Sequence, residues 1–158
     1  MPELTFNLLT ALKDKGWKIA TAESCTGGLI AAALTDIPGA SCVFDRGFVT
    51  YSNDAKREML GVPAGILQKH GAVSGETARA MVEGALKHSL ADLAVSVTGI
   101  AGPDGGTKEK PVGLVYIGFG RRDETPQVEK YMFKGDRASV RTQTVRAALK
   151  HALHLLET

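Results

Sequence analysis

The sequence predicts an α/β protein, a three-layer α/β/α sandwich with a mixed, mostly parallel sheet of about five strands. Three observations predict it. Short apolar runs of β type alternate along the chain with segments whose apolar residues recur every three or four positions. Strands interleaved in this way with helices pack most economically with helices on both faces of one sheet. The connection between the runs at 114–119 and 126–134 is hairpin-short, so those two strands are expected to be antiparallel and the sheet mixed. The 158 residues show no internal repeat, low-complexity tract or linker, and a single domain over 1–158 is expected, large enough to bury roughly 70% of its unfolded surface.

The elements follow in order. "LTFNLLTALKDKG" carries Leu4, Leu8, Leu9 and Leu12 at helical spacing and closes on Gly16. "WKIATAE" is a strand, and "GLIAAALTDI" a helix of small residues stopped by Pro38 and Gly39. "RGFVTYS" (46–52) is a second strand, with short helices in "NDAKREML" and "AGILQKH". "SGETARAMVEGALKHSL" is the clearest helix: Ser74 suits its N-cap, and Ala78, Met81, Val82, Ala85 and Leu86 share one face. "DLAVSVTGI" has the continuous apolar character of a central strand. After the glycine-rich "GIAGPDGGTKEKPVG" come the strands "LVYIGFG" and "QVEKYMFK". A long helix runs from about Arg137, with Val145, Ala148, Leu149, Ala152 and Leu156 on one stripe.

Composition narrows the function classes. A hydrophobic content of 44% and a charged content of 23% are ordinary for a globular protein. No apolar run approaches a membrane span, and the N-terminus lacks a signal peptide's design, so a cytoplasmic protein without membrane partners is expected. A formal charge of +2 is too small for a nucleic-acid surface. Cys25 and Cys42 are expected to be reduced, and no Cys/His spacing matches a metal site.

Open α/β sheets bind ligands at the carboxyl ends of their strands. Three such ends carry polar, glycine-rich turns: "ESCTGG", "TYSNDAK" and "SVTGIAGPDGG". Any one of them is an ordinary turn, but three at one sheet edge point to a site. Ser24 stands at the strand-to-helix corner, Thr26 can cap the helix, and Gly27 and Gly28 let the backbone approach a ligand with N–H groups aimed outward. Such donors suit a phosphate or an oxyanion, and the sequence does not choose between them.

A serine nucleophile needs a base, and Lys56, in the first turn of a helix capped by Ser52 or Asn53, is the candidate. The positive end of that helix disfavours an ammonium. Bringing a lysine from about 10.4 to near 7 requires roughly 4–5 kcal/mol, whereas the helix end supplies at most about 2 kcal/mol. Burial must supply the rest, and Asp54 would oppose it if close. At the start of the last helix, Arg137 and Arg141 stand four apart on one face. Cations there oppose the macrodipole, which a shared anion would reconcile; for Arg141 a carboxylate partner is the equal alternative.

In order and spacing, "TAESCTGG", "RGFVTYSNDAK", "HGAVS", "TGIAGPDGG", "KPVG" and "GDR" resemble the C-terminal domain of the competence/damage-inducible CinA proteins over roughly positions 5 to 155. The closest similarity is to the stand-alone members, the nicotinamide-nucleotide amidases. The resemblance implies hydrolysis of nicotinamide mononucleotide to nicotinate mononucleotide and ammonia in pyridine-nucleotide recycling, with no metal or other cofactor, by a homo-oligomer. It further implies a Ser–Lys pair, Ser24 and Lys56, with Tyr51 shaping or polarising the site. It implies substrate contacts from Ser41, Thr98 with the adjoining Gly99, and Arg137. Two alternatives stand beside this expectation: an amidase that uses Cys25 as nucleophile, with Lys56 and Glu23 or Asp54, and a non-catalytic nucleotide-binding or regulatory module. Adjacent strand residues point to opposite faces, so Ser24 and Cys25 are not expected to face the pocket together.

Overall fold

The computed structural model describes residues 1–157. Helix α1 (Pro2–Lys15) leads to β1 (Ile19–Glu23), α2 (Leu29–Thr35) and a 3-10 turn (Ala40–Cys42). Then come β2 (Phe44–Val49), α3 (Asn53–Leu60), α4 (Ala64–His70) and α5 (Gly75–Lys87). The chain continues through β3 (Leu93–Gly99), β4 (Leu114–Arg121), β5 (Gln127–Met132) and α6 (Arg137–Glu157).

The sheet order is β2-β1-β3-β4-β5. β1 pairs in parallel with both β2 and β3, and β4 pairs antiparallel with β3 and β5. β4 is thus the single strand running against the rest, as the short connection to β5 requires. One face carries α1, α2 and α6 over a core that includes Leu8, Leu12, Ile30, Val97 and Leu149. The other carries α3, α4 and α5 over Leu60, Met81 and Ala85. The expected sandwich and its two apolar helix faces are both present, and no helix among the described residues is long and apolar enough to cross a membrane.

Local chemistry sets the boundaries. Gly16 ends α1 in the left-handed region (φ 69), which glycine enters without a Cβ penalty. The Ser74 hydroxyl accepts the Thr77 N–H at 3.1 Å, capping α5 as its sequence predicts. β2 differs from expectation: it spans 44–49 rather than 46–52. Its first residues are drawn in because Val43 O accepts the Ile19 N–H at 2.8 Å. Its last pair is Glu23 with Val49; Thr50 still gives its N–H to Glu23 O at 2.8 Å, and the chain then turns toward α3.

Candidate active site

The carboxyl ends of β1, β2 and β3 meet in a cleft of about 200 Å³ lined by Ser24, Cys25, Tyr51, Lys56, Thr98 and Arg137, with the backbone of Gly99 and Ala101. Lys56 is its chemical centre. The side chain is 1% exposed, and its Nζ lies 3.0 Å from Ser24 Oγ, 2.9 Å from Thr50 O and 3.3 Å from Tyr51 O. Among the described residues no carboxylate pairs with it. Asp54, two residues before it, is turned outward onto Arg57 at 3.0 Å. Burial therefore pushes the Lys56 amine below the ordinary lysine value.

An ammonium would donate to all three oxygens. In the neutral amine, the carbonyls of Thr50 and Tyr51, which can only accept, take its two N–H donors, and its lone pair is left for the Ser24 hydroxyl. Ser24 is itself fixed at the corner by its N–H to Val97 O at 3.1 Å. The Ser24 hydroxyl and the Lys56 amine lie within the hydrogen-bond reach that a nucleophile and its base require.

The turn after Ser24 is organised differently from what its sequence suggests. The Glu23 carboxylate, 1% exposed, accepts the Thr26 hydroxyl at 2.5 Å and the N–H groups of Gly28, Ile30 and Ala31 at 3.2, 2.9 and 3.0 Å. Glu23, not Thr26, caps α2, and Thr26 braces Glu23. The Gly27 N–H bonds Ser24 O at 3.1 Å. The two glycines are needed for left-handed backbone, φ 58 and φ 107, but their N–H groups face the protein rather than the cleft.

The two arginines of α6 also separate. Arg137 reaches the cleft, donating to Gly102 O at 2.8 Å and to the Tyr51 hydroxyl at 3.3 Å. Arg141 donates instead to Cys25 O and Thr26 O at 3.0 and 3.1 Å. Its partner is neither an anion nor a carboxylate but the backbone of the turn that follows Ser24. Thr98, 1% exposed, donates its hydroxyl to Ala72 O at 2.7 Å and so holds the 71–73 loop as a cleft wall. Ser41 is exposed in the 3-10 turn at the amino end of the sheet, a strand's length from Ser24, and it does not line the cleft.

Cys25 shares the cleft wall with Ser24, contrary to the strand-alternation argument, because both belong to the turn rather than to β1. Its thiol is otherwise packed in the core with the α6 side of the sheet. Burial pushes its pKa up to about 11, so it holds its proton near neutrality. What sequence reasoning missed here is backbone: the Thr50 and Tyr51 carbonyls carry no residue-type signal. Glu23 gives no such signal either, since it ends β1 five residues before the N-cap Gly28 and reaches the α2 N–H groups only through the folded turn.

A buried hydroxyl–amine pair at the carboxyl edge of an open α/β sheet defines the class of this molecule. Residues 2–156 match the model of the CinA C-terminal domain, and the chain belongs to that family. It is 54% identical over 151 residues to the nicotinamide-nucleotide amidohydrolase PncC of Enterobacter agglomerans, covering 96% of this chain and 92% of that protein. It is 52% identical over 147 residues to a CinA-like protein of Citrifermentans bemidjiense, covering 93% of this chain but 35% of that longer protein. The chain thus spans about a third of several curated relatives. The crystal structure of the competence/damage inducible protein CihA from Agrobacterium tumefaciens superposes with a TM-score of 0.96 at 50% identity, covering 99% of this chain and 95% of that one.

Proposed function

We propose that this chain is an amidohydrolase that converts nicotinamide mononucleotide to nicotinate mononucleotide and ammonia through a Ser24 acyl-enzyme, in pyridine-nucleotide recycling. The substrate is argued from similarity to the amidohydrolase of Enterobacter agglomerans, over nearly the full length of both proteins. The reaction type is carried by one observation: a buried Lys56 amine, without a carboxylate, 3.0 Å from the Ser24 hydroxyl.

Neutral Lys56 takes the Ser24 proton as Oγ bonds to the carboxamide carbon. The pyridinium ring withdraws electrons and eases that attack. The oxyanion is held by backbone N–H groups of the 24–28 turn or the 99–102 loop. Ser24, Gly27, Gly28 and Ile100 are excluded as donors, because their N–H groups already bond Val97 O, Ser24 O, Glu23 Oε1 and Leu114 O. Cys25, Thr26, Ala101 and Gly102 are among those left. The tetrahedral centre collapses, the C–N bond breaks, and the Lys56 ammonium gives its proton to departing ammonia. Water then attacks the ester, with Lys56 again taking the proton, and nicotinate mononucleotide leaves as Ser24 regains its hydroxyl. Arg137, at the cleft mouth, is assigned to the substrate phosphate, and Tyr51 orients Arg137.

The deciding assay is ammonia release from nicotinamide mononucleotide by the purified protein. Catalytic release that disappears in Ser24→Ala supports the reading. Saturable binding of the nucleotide with no release contradicts it and leaves a binding module.

A further inference from the structure

A second and larger cavity, about 590 Å³, lies between β5 and the latter half of α6 and shares no lining residue with the Ser24 cleft. Its volume is in the range of small-molecule sites. One wall is aromatic: the rings of Tyr131 and Phe133 stack with centroids 4.9 Å apart. Behind them the Tyr131 hydroxyl and His151 Nε2 are 2.6 Å apart, and His151 stacks on Phe119 at 4.1 Å. Burial holds the His151 imidazole below its ordinary value and the Tyr131 hydroxyl above its own. This wall is therefore uncharged near neutrality.

The opposite wall is basic. Arg146, Lys150 and His154 follow at four-residue spacing along α6 and all line the cavity, with no carboxylate among the lining residues. Among the described residues neither Arg146 nor Lys150 has an ion-pair partner. The acid whose field reaches this wall is Glu129 of β5, acting on Tyr131 and His151. Like charges four apart on a helix repel one another, and half-exposed aromatic surface is unfavourable in water. A ligand with a flat ring and a phosphate relieves both at once, through stacking and charge-assisted hydrogen bonds to the guanidinium and ammonium.

We propose that the β5–α6 groove is a second binding site, for a small aromatic phosphate of nucleotide size. The ring lies against Tyr131 and Phe133, and Arg146 and Lys150 hold the phosphate. The site is independent of the amidase reading, since its residues lie outside the cleft.

The test is an NMR titration of the full chain with AMP, adenosine and inorganic phosphate, following the ring signals of Tyr131, Phe133 and His151. AMP is expected to shift them saturably, with adenosine and inorganic phosphate each weaker by about tenfold or more. The Arg146→Gln/Lys150→Gln double variant should weaken AMP by about tenfold or more, while Arg137→Ala leaves the groove shifts in place. Added salt should weaken AMP and not adenosine, a readout that needs no variant. Absence of saturable shifts at millimolar AMP overturns the proposal. So does inorganic phosphate matching AMP, which is an adventitious ion only, or undiminished AMP binding by the double variant.

Discussion

Glu23 and Lys56 flank the same serine, each 1% exposed and each at the N-terminal end of a helix, and they meet opposite fates. Glu23 sits before α2 and collects three backbone N–H groups and a hydroxyl. There the helix field and the donors favour a negative charge. Lys56 sits in the first turn of α3, where the same field is unfavourable to its charge, and meets two carbonyls and a hydroxyl without a carboxylate. One position builds the turn that carries Ser24. The other sets beside Ser24 an amine whose charge burial disfavours. Burial alone does not set what a charged side chain does; the partners available in the buried place decide it.

The comparison breaks most visibly if Lys56 is not the base. Ser24→Ala and Lys56→Met should each lower kcat for ammonia release by about a thousandfold or more, the scale of losing a nucleophile or its base. Activity within a few-fold of wild type in either would dismantle the pair. Next in size is the turn. Arg141→Gln releases the Cys25 and Thr26 carbonyls, and a displaced turn should cost about a hundredfold in kcat with KM little changed. A rise in KM alone would return Arg141 to the substrate. Glu23→Gln should destabilise the fold by about 1–3 kcal/mol in chemical denaturation, as a capping carboxylate is replaced by an amide. Unchanged stability would refute its capping role.

Stability against pH sharpens the contrast further. The folded-state pKa of Lys56 is depressed by burial, so between that value and the unfolded value of about 10.4 the unfolded chain binds the extra proton. Wild type should therefore gain stability relative to Lys56→Met as pH rises through that window, and the gain should level off above it. A flat difference would mean that Lys56 is not desolvated. The smallest effect belongs to Cys25: with its thiol pushed up to about 11, Cys25→Ala should keep ammonia release within a few-fold of wild type.

Much of this was legible in the sequence because it rests on side-chain type and period. The apolar stripe of α5, the Ser74 cap, the hairpin-short β4–β5 connection and the polar ends of β1, β2 and β3 are local signals, and the structure realises each of them. The Ser24–Lys56 pairing was reachable because both belong to those strand ends. What stayed hidden depends on three-dimensional partners. Which N–H groups of the 24–28 turn face inward depends on Glu23 reaching across to α2. The division between Arg137 and Arg141 depends on how α6 lies over the turn, since helical spacing alone places them on one face. Ser41 shows the same limit: its place in the chain says nothing of its distance from the cleft, which the 3-10 turn sets at the far end of the sheet.

The central claim of the proposed reaction is that the buried Lys56 amine gives up its proton more readily than an ordinary lysine, and it can be read directly. Carbon-13 labelling of lysine side chains, with Lys56→Met to assign the signal, gives the titration midpoint of its ε-CH2 group by NMR. A midpoint well below 10.5, matched by the acid limb of kcat/KM for ammonia release, is the predicted result. A midpoint at or above 10.5 would mean a charged amine beside Ser24, and a charged amine cannot take its proton.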